Sequence, residues 1–223
     1  KRFMQEASIT ASLTHPNTIR VFDFGTMENG SLFLVMEYID GINIKQSIAK
    51  NGPFSPQEAM RLALQICGSL AEAHRKDLIH RDIKPGNIMV VESPEEGLLT
   101  KLLDFGLVKN IEQTADISQT GSILGSPMYM SPEQINGDDV DNRSDIYSVG
   151  LTMYFLLSGR PPYKEANISG VLAAQLFKKP LPLIEQNPLL ESCPALQWII
   201  ETATQKEINE RFTSVQQMKK AIE

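Results

Sequence analysis

Ser55-Pro56-Gln57-Glu58 is a strong helix start. Ser55 is the cap, Pro56 stands at the first helical position, and Glu58 closes a capping box. Behind it Ala59, Leu62, Ala63, Ile66, Leu70 and Ala73 recur at helical spacing to about Lys76. A helix with so long an apolar stripe needs a core around it, and at 223 residues the chain is long enough to build one without disulfides.

The rest of the chain arranges itself around that helix. Upstream, Phe3, Met4, Ala7, Ile9 and Leu13 predict a first helix that His15-Pro16-Asn17 stops. Two strands follow, Thr18 to Phe24 and Ser31 to Tyr38, with Asn29-Gly30 as the hairpin signal. Downstream, Ile88 to Val91 and Lys101 to Leu103 read as a small hairpin. Residues 109–126 are polar, rich in Ser and Thr and without a period, which predicts a long functional or disordered loop. After it come helical patterns over Asp145 to Ser158, Ile168 to Lys178, Pro194 to Gln205 and Thr213 to Glu223. In the third of these, Trp198 is expected in the core beside Leu196, Ile199 and Ile200. Helix, a few strands, then many helices predict an α+β chain with a small strand-bearing part on a larger helical part.

Composition removes some function classes. Lys plus Arg number 21 against 27 Asp plus Glu, a net charge of −6, which is not the footprint of a nucleic-acid binder. Cys67 and Cys193 form no CxxC or Cys/His cluster, so a structural zinc is not expected and a reducing, cytoplasmic setting is. No apolar run approaches the roughly 18 residues that cross a bilayer. An anchor outside these residues stays open.

The densest chemistry is His80-Arg81-Asp82-Ile83-Lys84-Pro85-Gly86-Asn87, between the long helix and a strand. Seventeen residues after Asn87 stands Asp104-Phe105-Gly106, then Gly125-Ser126-Pro127 and Ser131-Pro132-Glu133, then Asp145. Phosphoryl transfer from a nucleotide needs hard oxygen donors for magnesium, and Asn87 and Asp104 supply them from paired strands. It needs a carboxylate at the acceptor hydroxyl, for which Asp82 is placed, and a cation at the transferring group, for which Lys84 is placed.

This set resembles the eukaryotic-type protein kinases, matching their HRDxKxxN, DFG and APE motifs in order along essentially the whole chain. The phrasing His-Pro-Asn, Asp-Ile-Lys-Pro-Gly-Asn and Tyr-Met-Ser-Pro-Glu-Gln is most similar to the bacterial serine/threonine kinases. The resemblance implies a bilobal fold with ATP and Mg²⁺ in the cleft. Residues 1–38 would form a partial N-lobe and the start of the hinge, and 39–223 the rest of the hinge and the C-lobe. It implies Asp82 as catalytic base, Lys84 on the γ-phosphate, and Asn87 and Asp104 on magnesium. Glu37 by its carbonyl and Ile39 by its amide would face the adenine, with Met36 as gatekeeper and Met89 below the purine. Glu6 would pair with an ATP-anchoring lysine, and Phe105 would pack under the first helix. Arg81 would pair with a phosphorylated residue of the long loop, where Ser118 and Thr120 are the candidate autophosphorylation sites. Ser126 would bridge Asp82 and Lys84, Glu133 would form a buried ion pair with Arg211, and Asp145 would hold the catalytic-loop backbone. Lys84 and Ser126 point to protein serine and threonine as acceptors, and autophosphorylation would bring two copies together.

No GxGxxG loop and no VAIK-type lysine stand before the first helix. Two readings follow: a piece of a complete kinase, weakly active by itself, or a pseudokinase scaffold. Retention of Asp82, Lys84, Asn87 and Asp104 favours the first. A small-molecule phosphotransferase is a third reading. The Ser131-Pro132-Glu133 segment, which in the resembled family presents a protein substrate, weighs against it.

Overall fold

Helix α1 (Arg2–Ala11) opens the fold, in a computed structural model that describes residues 2–93, 95, 97–105 and 127–223. Strands β1 (Val21–Thr26) and β2 (Leu32–Met36) form an antiparallel two-stranded sheet, with Val21 opposite Met36 and Thr26 opposite Leu32. Its turn is closed by Met27 N donating to the Ser31 carbonyl and by Gly30 at φ 84°, which fits the Asn-Gly signal.

A short strand β3 (Ile42–Asn43) leads into helix α2 (Ile44–Asn51), which sequence periodicity did not predict. Its start is nonetheless written locally. Asn43 accepts from Gln46 N while the Gln46 side chain accepts from Asn43 N, a complete capping box. Gly41 permits the approach to the next strand, since a Cβ there would stand 2.6 Å from the Val90 carbonyl oxygen.

Helix α3 (Pro56–His74) begins as its cap dictates: the Ser55 hydroxyl accepts from Glu58 N, and Glu58 accepts from Ser55 N at 3.0 Å. Strands β4 (Ile88–Ser93) and β5 (Gly97–Leu102) follow as the expected hairpin, and β3 extends it to a three-stranded sheet in the order β3-β4-β5. Gln65 of α3 accepts from Thr100 N and donates to the Leu98 carbonyl, which locks that sheet onto the helix. The segment after α1 is tied to the same helix, because Glu72 accepts from the amides of Thr14 and His15.

The remaining helices are α4 (Pro132–Asn136), α5 (Asn142–Ser158), α6 (Ile168–Phe177), α7 (Leu183–Gln186), α8 (Pro194–Ala203) and α9 (Val215–Ile222). Helix α5 is buried nearly all round, and α3, α5, α8 and α9 enclose one main core. Trp198 is a correction: it is 55% exposed, touching Phe212 edge-on. The core stripe of α8 is Leu196, Ile199, Ile200 and Ala203, and a residue two positions after Leu196 points about 200° round the helix from it.

Candidate active site

The loop between α3 and β4 is held by Asp145 from inside α5. One carboxylate oxygen of Asp145 accepts from Arg81 N at 2.9 Å. The other accepts from His80 N at 2.9 Å and meets His74 Nε2 at 2.7 Å. Burial works to raise the Asp145 pKa, but His74 and then His80 outweigh it and bring it below the ordinary carboxylate value. A buried anion thus fixes a backbone whose Arg81 is in the left-handed region, at φ 65°.

His80 carries the fixation to the next strand end. Its Nδ1 accepts from Asp82 N at 3.2 Å, so its Nε2 bears the proton and donates to the Leu103 carbonyl at 2.8 Å. Full burial lowers its pKa, consistent with this neutral tautomer. The ring rests on Phe105, with centroids 4.6 Å apart. His80 thus joins the Asp82 backbone to the residue preceding Asp104.

Three expected site residues converge. Lys84 Nζ donates to Asp82 Oδ2 at 2.7 Å, and Asn87 Nδ2 donates to the same oxygen at 2.9 Å and to the Asp82 carbonyl at 3.0 Å. Asp104 follows Leu103, whose amide donates to the Asn87 carbonyl, so the hairpin places Asp104 beside Asn87. Asp104 is exposed and left-handed, at φ 51°, while Phe105 is buried.

Other expected residues are placed as follows. Glu6, half-buried on α1, shares with Ile9, Leu78 and Arg81 the lining of a cavity of about 230 Å³. Glu37 follows β2; its side chain accepts from Lys101 Nζ and Arg20 N, both at 2.7 Å, which holds the segment that runs on to Ile39. Met36 ends β2, and Met89 is half-buried in β4. Ser118, Thr120 and Ser126 lie outside the described residues. A groove of about 590 Å³ between α2, β4 and the Pro53 turn is lined by none of Asp82, Asn87 or Asp104 and is separate from this chemistry.

Glu133 of α4 meets Arg211 in a two-point buried pair, with both N–O distances 2.8 Å, and Ser144 donates to the same carboxylate. Burial alone would raise the Glu133 pKa; the Arg211 and Ser144 hydrogen bonds reverse that and hold it at about 2. Beside it, Gln134 Nε2 donates to the Arg81 carbonyl at 2.9 Å, tying α4 to the loop between α3 and β4. Sequence reading missed this residue. Its signal was the Ser131–Gln134 capping box.

The model of the protein kinase domain family matches residues 1–221. The chain belongs to the protein kinase domain family. It is 36% identical over 225 residues to serine/threonine-protein kinase pkn3 of Myxococcus xanthus, covering 100% of this chain and 41% of that one. It is 34% identical over 222 residues to serine/threonine-protein kinase PrkC of Bacillus subtilis, covering 100% of this chain and 33% of that one. This kinase domain therefore spans well under half the length of these curated relatives. The crystal structure of the Mycobacterium tuberculosis PknI kinase domain superposes with a TM-score of 0.76 at 27% identity, covering 99% of this chain and 76% of that one. The bilobal α+β architecture and the bacterial serine/threonine type follow from these likenesses.

Proposed function

We propose that the protein transfers the γ-phosphoryl group of ATP to serine and threonine hydroxyls of protein substrates. The observation that carries this reading is the meeting of Asp82, Lys84 and Asn87 on one oxygen, with Asp104 placed alongside by the β4–β5 hairpin. The donor set suits magnesium: Asn87 commits its nitrogen to Asp82 and so presents its amide oxygen, and Asp104 offers an exposed carboxylate. Bound there, the ion neutralises phosphate charge.

The chain's own residues do the rest. Asp82, fixed through its amide by His80 and through its carboxylate by Lys84 and Asn87, orients the acceptor hydroxyl and takes its proton. Lys84 exchanges Asp82 for the transferring phosphoryl group, where its charge offsets the charge developing in the transition state. The Glu37 carbonyl and Ile39 amide hold the adenine edge, and Met89 packs below it. Glu6 answers the ATP-anchoring lysine, with Phe105 beneath α1. Arg81 pairs with a phosphate carried by Ser118 or Thr120, put on that residue by a second copy of the chain, and Ser126 bridges Asp82 and Lys84. Among the described residues no helix is long and apolar enough to cross a membrane. The domain works on the cytoplasmic side, where ATP is and where the thiols of Cys67 and Cys193 stay reduced.

The deciding experiment is phosphotransfer by the full-length protein, with Asp82→Asn as its control. We expect a loss of at least about 10²-fold in kcat with ATP affinity kept, the signature of an interaction made in the transition state. Equal activity in the two proteins would remove the assignment and favour the scaffold reading.

A further inference from the structure

Lys206, in the turn between α8 and α9, is a half-buried cation on which no carboxylate stands among the described residues. Its ammonium donates to Tyr147 Oη at 3.0 Å, to Tyr163 Oη at 2.8 Å and to the Gln175 carbonyl at 2.6 Å, which uses all three of its N–H groups. It also stands over both phenol rings, 5.3 and 5.1 Å from their centroids. Tyr147 comes from α5, Gln175 from α6, and Tyr163 from the connection between them. With Leu151 and Ala174 the two tyrosines form a small core of their own, against which Tyr129 packs.

The network runs on toward the substrate side of the site. Tyr147 Oη donates to Gln175 Oε1 at 2.5 Å, and Gln175 Nε2 donates to the Met128 carbonyl at 2.5 Å. Gln175 is itself fully buried. The same turn holds the other end of that segment. Arg211 donates to the carbonyls of Gln205 and Lys206 while it pairs with Glu133. Segment 128–133 is therefore gripped at its end by Arg211 and at its start by Lys206 acting through Tyr147 and Gln175.

We propose that Lys206 is a positioning residue for protein-substrate binding: it clamps α6 to α5 and thereby fixes, through Gln175, where segment 127–131 presents itself to the incoming polypeptide. The proposal rests on the kinase reading and goes beyond it, since Lys206 touches neither nucleotide nor substrate.

Charge state adds a signature. Burial, and after it the neighbouring Arg211, lower the Lys206 pKa to about 8. The groups facing it are Tyr147 from α5, Tyr163 from the 159–167 connection, and Arg211 with its partner Glu133 from α4. Burial raises both phenols above their ordinary value and Glu133 is held at about 2, so among these shifted groups the amine is the one that titrates between pH 7 and 9. Loss of its proton leaves two N–H donors for three acceptors, and the clamp loosens.

The test is made on the full-length protein with Lys206→Met, Lys206→Arg and Tyr147→Phe. In Lys206→Met the KM for a protein substrate rises about tenfold while the KM for ATP stays within about twofold, and amides of Met128 to Ser131 exchange faster. The wild-type substrate KM climbs as pH passes about 8, whereas Lys206→Arg, whose guanidinium keeps its proton, shows no such climb. Tyr147→Phe keeps the ring and removes only the relay oxygen, so it moves both readouts in the same direction and serves even where Lys206→Met does not fold. A residue of merely structural weight would lower stability without separating the two KM values. Unchanged exchange over Met128–Ser131 together with an unchanged substrate KM overturns the proposal. A wild-type protein that transfers no phosphoryl group defeats the kinase reading instead, and the exchange measurement still decides Lys206.

Discussion

Glu133 and Arg211 are the pair on which the helical part is most exposed to single-residue damage. Both are buried, and removing one leaves the other charged in a low dielectric, a loss of about 3 kcal/mol or more. Glu133→Gln should show this as a lowered urea midpoint at pH 7. Folding holds Glu133 at about 2 against roughly 4.3 in an unfolded chain. Its folded pKa is depressed, so its stabilisation is complete above about pH 5 and drains away as pH falls toward 2. The gap between wild type and Glu133→Gln is therefore widest at pH 7 and narrows on the way to pH 3. A gap that stays constant over that range would mean Arg211 draws its compensation elsewhere. The pair was legible only through family motifs, because 78 positions separate the partners and no local pattern joins them. Separations of 28 to 59 positions likewise hide Lys206, Tyr147 and Gln175, each of which is unremarkable in its own stretch of sequence.

Elements were more readable than contacts because their starts are local chemistry. The Ser55 capping box set α3, and the Asn29-Gly30 turn set β1–β2, each from residues a few positions apart. Helix α2 went unseen although Asn43 and Gln46 form an equal box, since Ile44-Lys45-Gln46-Ser47-Ile48 is too short to declare a period. Trp198 failed for the opposite reason: the apolar run in α8 is wider than the stripe the core can use, and only packing selects which part is buried. What sequence could not reveal about α5 is how closely it meets α8. A Cβ on Gly150 would stand 2.8 Å from the Ala203 Cβ and 2.9 Å from Thr204 Cγ2. Gly150→Ala gains up to about 1 kcal/mol in helix propensity, but a methyl fixed to a helix cannot swing aside, and overpacking costs about 1–3 kcal/mol. We expect a net loss of about 1 kcal/mol, read as a lower urea midpoint at unchanged slope. A stabilised Gly150→Ala would show that the two helices separate freely.

Across the whole molecule, stability is unevenly spread. The groups proposed for chemistry hang on α3, α5 and the β3-β4-β5 sheet, which share the main core and are joined by hydrogen bonds from Asp145 and Gln65. The β1–β2 sheet has only two strands, and Phe22 at 60% and Val35 at 46% exposure leave much of its surface unpacked; α1 is the helix set against it. A two-stranded sheet with so little burial is marginal in water. Amide exchange on the polypeptide of residues 1–223 should therefore separate two populations. The amides of β1 and β2 exchange through local opening, roughly 10²-fold or more faster than those of α3 and α5, which wait for global unfolding. Denaturant should slow-limit them differently too: β1–β2 exchange responds weakly to low urea because little surface is exposed when it opens, whereas α3 and α5 respond with nearly the full unfolding slope. Equal protection and equal urea response throughout would mean that the strands and the helical part unfold as one unit. With two populations, Asp82 and Asn87 keep their positions while the strands open, so ordering the β1–β2 region would bear on the proposed nucleotide binding while leaving the groups proposed for chemistry already in place.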